Sequence, residues 1–213
     1  MTDSPHLPRS PHPPFSPDVV LFDLFGVIAR HQSTEGKDRL VRTAEVPAAA
    51  FWDAYWACRQ PYDQGELTGP AYWRQVADSL AVRFDEHRIA RLIEADIAGW
   101  SAVDETMVAL VEELAASGRR IALLSNIPEE LATYYEEHHP WLKHFPVRAF
   151  SCRIGHAKPD LGAYEWCLNA LRTAPDRVLF VDDRDENIRA AETAGIRGHL
   201  FTTPERLREA LIP

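Results

Sequence analysis

Several absences narrow what this chain can be. It holds only three cysteines, Cys58, Cys152 and Cys167, an odd number with none of the spacings that ligate zinc. That argues against a disulfide framework, so the expectation is three reduced, mostly buried thiols in a cytoplasmic protein. No apolar run approaches the ~20 residues that a membrane span needs, so no membrane partner is expected. Basic residues are outnumbered: 23 Lys and Arg face 32 Asp and Glu, a formal net charge of −9, and no local basic stripe offsets it. That balance speaks against nucleic acid as a partner. No internal repeat is present.

The stretch 1–17 lacks the apolar centre of a signal peptide and instead carries Pro5, Pro8, Pro11, Pro13, Pro14 and Pro17. Such a segment cannot bury enough surface to offset its ordering entropy, so it reads as a flexible tail, with His6 and His12 solvated in it.

What remains is 213 residues with 46% apolar content, enough for one domain carrying an insertion. The run 19–22 is β-branched and apolar throughout, the pattern of a strand buried on both faces, and Gly26 breaks the chain soon after it. From about 36 to 117 the pattern is helical. One segment covers 47–58, with Phe51, Trp52, Tyr55 and Trp56; a second starts at Thr68, with Pro70 in its first turn. A third is capped by Asp85, and a fourth covers 103–117 and ends at Gly118. Strand and helix then alternate: strand 121–124, helix 128–138, strand 147–151, helix 161–172, strand 178–181, helix 186–194, strand 199–202 and helix 204–211. Alternation of this kind predicts a parallel sheet covered by helices on both faces. The helical block between the first two strands is too long for a simple crossover and reads as an inserted cap. The expected division is tail 1–17, core 18–30 with 104–213, and helical cap 31–103.

Asp23, Ser125 and the pair Asp182-Asp183 all fall at carboxyl ends of expected strands, where open parallel sheets bind ligands. A carboxylate can attack phosphorus and form an aspartyl-phosphate, splitting one hard hydrolysis into two easier steps. It cannot approach a phosphate dianion unaided. Mg²⁺, a hard cation bound by one or two carboxylates plus substrate phosphate, would remove that barrier. Asp23 and Asp183 supply carboxylates for it, and Asp182 orients them. Lys158 can cancel charge on the nucleophile and on the transferring group. The Ser125 hydroxyl can hold a phosphoryl oxygen.

The ordered set resembles the haloacid dehalogenase superfamily. Its pieces are Asp23 with Gly26-Val27, Ser125-Asn126, Lys158 in Gly155-x-x-Lys158-Pro159-Asp160, and Asp182-Asp183 with Asn187 and Gly195 downstream. The resemblance implies an α/β fold with a Rossmann-like core, a five-stranded parallel sheet, and an all-helical cap. It also implies Mg²⁺ as cofactor and a small phosphorylated metabolite as substrate. Nearest in pattern are the sugar-phosphate phosphatases and the phosphatase-like N-terminal domains of epoxide hydrolases, whose cap stretch is similar to the segment running from Arg59 through Tyr62 to Gly65. On this footing Asp23, Lys158 and Ser125 are catalytic, Ser125, Asn126 and Lys158 bind substrate, and Asp23, Asp183 and the backbone carbonyl of Phe25 ligate metal with Asp182 in support. Arg59 and His31 suit a structural or a site role equally and stay outside the set. The cap aromatics Trp52, Trp56, Tyr62 and Trp73 are read as core.

One residue departs from the family pattern. Superfamily phosphatases place an aspartate two positions after the nucleophile, where it protonates the leaving oxygen and later activates water; here that position is Phe25. Dehalogenase members carry an aromatic there because a halide needs no proton, yet they lack the metal site that Asp182-Asp183 suggests. The expected function is therefore a Mg²⁺-dependent phosphatase. The alternatives are a catalytically silent protein that binds a phosphorylated ligand or a partner, and a haloacid-dehalogenase-type hydrolase. The substrate and the oligomeric state are not written in these motifs.

Overall fold

A computed structural model describes residues 17–211, so the proline-rich stretch 1–16 with its two histidines lies outside the described residues. Five parallel strands, β1 (Val19–Phe22), β2 (Arg120–Ser125), β3 (Val147–Phe150), β4 (Val178–Asp182) and β5 (Arg197–Leu200), form one sheet in the order β3-β2-β1-β4-β5. The central strand pairs on both sides, with Phe22 beside Leu123 of β2 and Val181 of β4. That register brings Asp23 level with Leu124 and Asp182, with Ser125 one residue farther along β2. The fifth strand lies at 197–200 rather than at the expected 199–202. Gly195, at φ +81°, ends the preceding helix and turns the chain into the sheet two residues early, and Phe201 N–H then donates to the Asp182 carbonyl at 2.8 Å.

Between β1 and the helix that leads into β2 lie five helices: α1 (Thr34–Ala44), α2 (Ala48–Ala57), α3 (Arg59–Asp63), α4 (Gly69–Ser79) and α5 (Glu86–Trp100). Ser33, Thr68 and Asp85 cap α1, α4 and α5 by accepting from Gly36, Ala71 and Arg88 N–H groups, each cap worth about 1 kcal/mol. Two of these helices were not named by the sequence pattern. α3 is too short to display a period, and α1 buries only Gly36, Leu40 and Ala44, which leaves a thin apolar stripe. The five helices gather around their own core, in which Phe51, Tyr55, Tyr72 and Trp73 are fully buried. Each such side chain contributes roughly 1.5–3 kcal/mol by leaving water.

The remaining helices are α6 (Glu105–Ala116), α7 (Glu129–His138), α8 (Ser151–Ile154), α9 (Leu161–Leu171), α10 (Asp185–Thr193) and α11 (Pro204–Leu211). Side chains alternate across β1, so Val20 and Phe22 pack into the layer containing α6, α7 and α11, while Val19 and Leu21 pack against α9 and α10. This double burial is why β1 reads as an unbroken apolar run. Among the described residues no helix is long and apolar enough to cross a membrane.

The chain leaves the sheet for the insert and returns from it side by side. Arg30 N–H donates to the Ala102 carbonyl and Asp104 N–H to the Ile28 carbonyl, both at 2.8 Å, around an antiparallel bridge between Ala29 and Val103. Farther out, Glu130 of α7 accepts from the Tyr62 hydroxyl at 3.0 Å and from Gly69 N–H at 2.5 Å, which ties the insert to the sheet side of the molecule.

Candidate active site

Asp23 stands one residue past β1, its N–H donating to the Val181 carbonyl at 2.8 Å, so the nucleophile candidate is fixed at the level where β4 ends in Asp182, with Asp183 next in the chain. Its carboxylate is buried. Oδ1 accepts from Leu24 N–H at 2.7 Å and from the Lys158 ammonium at 2.6 Å. Lys158 also reaches Asp182 Oδ2 at 2.7 Å, bridging the two strand ends. The lysine is seated by Asn126, whose side-chain oxygen accepts from Lys158 N–H at 2.7 Å and whose amide nitrogen donates to the Lys158 carbonyl at 2.8 Å. The Asn126 amide therefore acts on the site through Lys158.

Asp182 is fully buried and amply partnered. Besides Lys158 it accepts from Asn187 Nδ2, 3.0 Å from each of its oxygens, and from Arg184 N–H at 2.8 Å. Asp183 is different. Its Oδ2 meets His31 Nε2 at 2.8 Å, while its Oδ1 is buried with no hydrogen-bond partner among the described residues. Gly26 makes this approach possible. At φ +86° it takes a turn that a side chain resists, and a Cβ there would fall 2.2 Å from Asp183 Oδ2.

Ligand-capable oxygens of Asp23, Asp182 and Asp183 lie within 4.8 Å of one another. At that separation two carboxylates repel by about 3 kcal/mol even with an effective dielectric of about 20, and one lysine cannot cancel three of them. Burial, reinforced by the Asp182 charge, pushes the Asp23 carboxyl above the usual carboxylate range against the pull of Lys158. Burial alone would lower the Lys158 ammonium, but the same two carboxylates outweigh it and hold its proton firmly. An all-oxygen donor set with an orphaned buried carboxylate oxygen and excess negative charge fits a hard divalent cation such as Mg²⁺.

The site opens into a cavity of about 420 Å³ lined by Asp23, Phe25, Asn126, Lys158 and Asp183 from the sheet side and by Trp56, Arg59 and Trp100 from the insert. Two residues of the expected set are not on that lining. Asp182 stands behind Lys158, and Ser125 is fully buried at the end of β2, its hydroxyl without a partner among the described residues. Phe25 lies at the cavity wall, its ring edge-on to Trp100 at 5.0 Å and to Tyr135 at 5.8 Å. No carboxylate follows Asp23 at that position.

Arg59 lines the cavity but is not free. Buried in the insert, it donates to Asp63 Oδ1 at 2.8 Å, to Asp96 Oδ2 at 3.0 Å and to the Tyr55 hydroxyl at 2.5 Å. His31, Gln32, Lys37, Asp63, Arg184 and Asn187 also border the site. Of these, His31 was singled out in sequence as suiting either a structural or a site role, Asp63 lay in the stretch from Arg59 to Gly65, and Asn187 followed Asp182-Asp183 in the last motif.

Comparison with known proteins gives a consistent picture. A family model for haloacid dehalogenase-like hydrolases matches residues 17–195. A sesquiterpene phosphatase, astK of Aspergillus oryzae, is 34% identical over 96 residues, 45% of this chain and 48% of that protein. The tyrosine-protein kinase PtkA of Mycobacterium tuberculosis is 25% identical over 195 residues, 88% of this chain and 63% of that protein. The chain thus spans between about half and two-thirds of these relatives' lengths. The fold is similar to that of the HAD family enzyme bt-2542 from Bacteroides thetaiotaomicron, with a TM-score of 0.78 at 14% identity, covering 93% of this chain and 100% of the other. That enzyme has also been crystallised in complex with magnesium and inorganic phosphate, a structure similar with a TM-score of 0.69 at 15% identity over 86% of this chain and 93% of the other.

Proposed function

This chain belongs to the haloacid dehalogenase-like hydrolase family, and within it we propose a Mg²⁺-dependent phosphatase that acts on a small phosphorylated metabolite through an aspartyl-phosphate on Asp23. The observation that carries the reading is the Lys158 ammonium held between Asp23 at 2.6 Å and Asp182 at 2.7 Å, beside an Asp183 oxygen that lacks a partner. A surface ion pair needs no such convergence. The magnesium and phosphate bound by the Bacteroides enzyme of the same fold support the same reading.

The chemistry follows from the residues. Asp23 Oδ attacks phosphorus while the bond from phosphorus to the leaving oxygen breaks, and the bonding pair departs with that oxygen. Lys158 balances charge on the attacking carboxylate and on the transferring group. Asp23 and Asp183, with the Phe25 carbonyl, would hold Mg²⁺, whose contribution is to screen the approach of carboxylate to phosphate. Asp182 and Asn187 fix Lys158 and the end of β4. Water then attacks phosphorus, breaking its bond to Asp23 and releasing phosphate. Phe25 supplies no proton in either step, so the leaving oxygen takes its proton from solvent, and rates should rise steeply with leaving-group acidity. The helices 34–100 act as a cap that closes the cavity over the substrate.

Phe25 also favours a second reading, a catalytically silent binder of phosphorylated ligands. Turnover of p-nitrophenyl phosphate with and without Mg²⁺, with acid-quench trapping of the phospho-enzyme, separates the two. Metal-dependent release with label on Asp23 supports the phosphatase. Phosphate binding without turnover supports the silent reading, and halide release from 2-haloacids without metal would replace both with a dehalogenase.

A further inference from the structure

One wall of the cavity is aromatic. Phe25 from the sheet side meets Trp100 at 5.0 Å between centroids, and Trp56 meets Trp100 at 6.5 Å, both edge-on. All three rings line the same cavity as Asp23 and Lys158. Trp100 is locked from two directions: its indole N–H donates to the Tyr55 hydroxyl at 3.2 Å and its carbonyl accepts from the Tyr135 hydroxyl at 2.6 Å. Trp56 is 54% exposed, whereas Phe51 and Tyr55 of the same helix are fully buried, so packing within the insert does not explain it. The Arg59 donors on this wall are held by Asp63, Asp96 and Tyr55. A polyhydroxylated substrate would need several open donors and acceptors there. Beside the ring surface, the cavity lining adds the exposed Lys37 as a donor and one unpartnered acceptor, the buried Gln32 Oε1.

We propose that the substrate is a phosphate monoester of an aromatic alcohol, its ring lying against Phe25, Trp100 and Trp56 and its phosphate at Asp23; this rests on the phosphatase reading above. Two independent consequences of Phe25 converge on it. The phenylalanine adds a ring to the wall, and it removes the acid that an alkoxide leaving group requires. A phenol ionises near pH 10, so phenoxide departs without a donor far more readily than an alkoxide does. In the first step the bond from Asp23 oxygen to phosphorus forms, the bond from phosphorus to the phenolic oxygen breaks, and the phenoxide picks up a proton from water. In the second step water replaces Asp23 on phosphorus, and its proton passes to solvent.

The test separates ring recognition from leaving-group acidity by using esters of two alkanols. With Mg²⁺ present, kcat/KM for 2-phenylethyl phosphate should exceed that for glucose 6-phosphate by about tenfold or more, the equivalent of about one aromatic contact. Trp56→Ala should lower that ratio about tenfold, because the exposed ring contributes recognition. Equal values for the two esters, or an unchanged ratio in the variant, overturns the proposal. If neither ester is hydrolysed, the aromatic wall is judged by binding, and if p-nitrophenyl phosphate is not hydrolysed either, the phosphatase reading has failed. Quenching of tryptophan fluorescence by 2-naphthyl phosphate at concentrations where glucose 6-phosphate has no effect upholds the aromatic site. Equal binding, or none, removes it.

Discussion

Two buried charge clusters face each other across one cavity, and they solve the same problem in opposite ways. In the insert, Arg59 is surrounded by Asp63, Asp96 and the Tyr55 hydroxyl, with the Tyr55 and Tyr62 rings under its guanidinium at 5.2 and 5.3 Å. Each group there has a partner, and the network holds the insert in one shape. On the sheet side, Asp23 and Asp182 share one lysine with Asp183 beside them, and Asp183 Oδ1 and Ser125 Oγ have no partners among the described residues. A satisfied cluster stabilises, while an unsatisfied one is held in readiness for a ligand. The number of charges is similar in both, so charge alone does not mark a site; a surplus of clustered carboxylates around one ammonium, one of them with an orphaned oxygen, does.

The comparison can be broken where it is most asymmetric. Asp23→Asn should reduce phosphate-ester turnover by ~10⁴-fold or more while the cooperative thermal transition survives, as expected for a nucleophile that the fold does not require. Near-full activity in this variant, measured by phosphate release, would end the covalent mechanism. Asp96→Ala should do the reverse. It leaves Arg59 buried with one carboxylate partner, at a cost of about 3–5 kcal/mol in urea unfolding. The triple change Arg59→Met with Asp63→Leu and Asp96→Leu should recover most of that loss, since a buried ion triad replaced by apolar groups is close to neutral. A loss under ~1 kcal/mol in the single variant would mean that the insert does not depend on this network.

Smaller effects sharpen the contrast. Asp183→Asn should weaken Mg²⁺ binding ~10–100-fold by calorimetry, the order seen when groups that orient or ligate a metal are lost. An unchanged titration would remove Asp183 from the metal site. Phe25→Asp should raise turnover of alkyl phosphates ~10-fold and change aryl phosphates less, because only the former lack a competent leaving group. If both classes gain equally, the missing acid is not what limits the natural protein.

The sheet side of the site was legible in the sequence because its grammar is local. Strands buried on both faces read as apolar runs, and each run stops on Asp23, Ser125 or Asp182-Asp183. Asn126 was legible as a motif residue, but its brace on the Lys158 backbone spans 32 positions and has no local signature. The aromatic wall was hidden for another reason. α2 is apolar around most of its circumference, so spacing could not tell that Phe51 and Tyr55 turn inward while Trp56 turns out. Trp100 and His31 reach the site only because the two connections to the insert run together, a pairing across more than seventy positions that no window can see.

Those two connections also set the mechanics of the insert. A domain hung on a single strand can swivel in every direction, as on a ball joint. Here 28–30 and 102–104 are hydrogen-bonded to each other, so the suspension behaves as a strap with one compliant bending axis and stiff resistance to twist. His31 and Trp100 sit immediately beyond that strap, on its two arms. Bending about it would have to release the Tyr62 and Gly69 contacts to Glu130, and would alter the His31–Asp183 and Trp100–Phe25 contacts together.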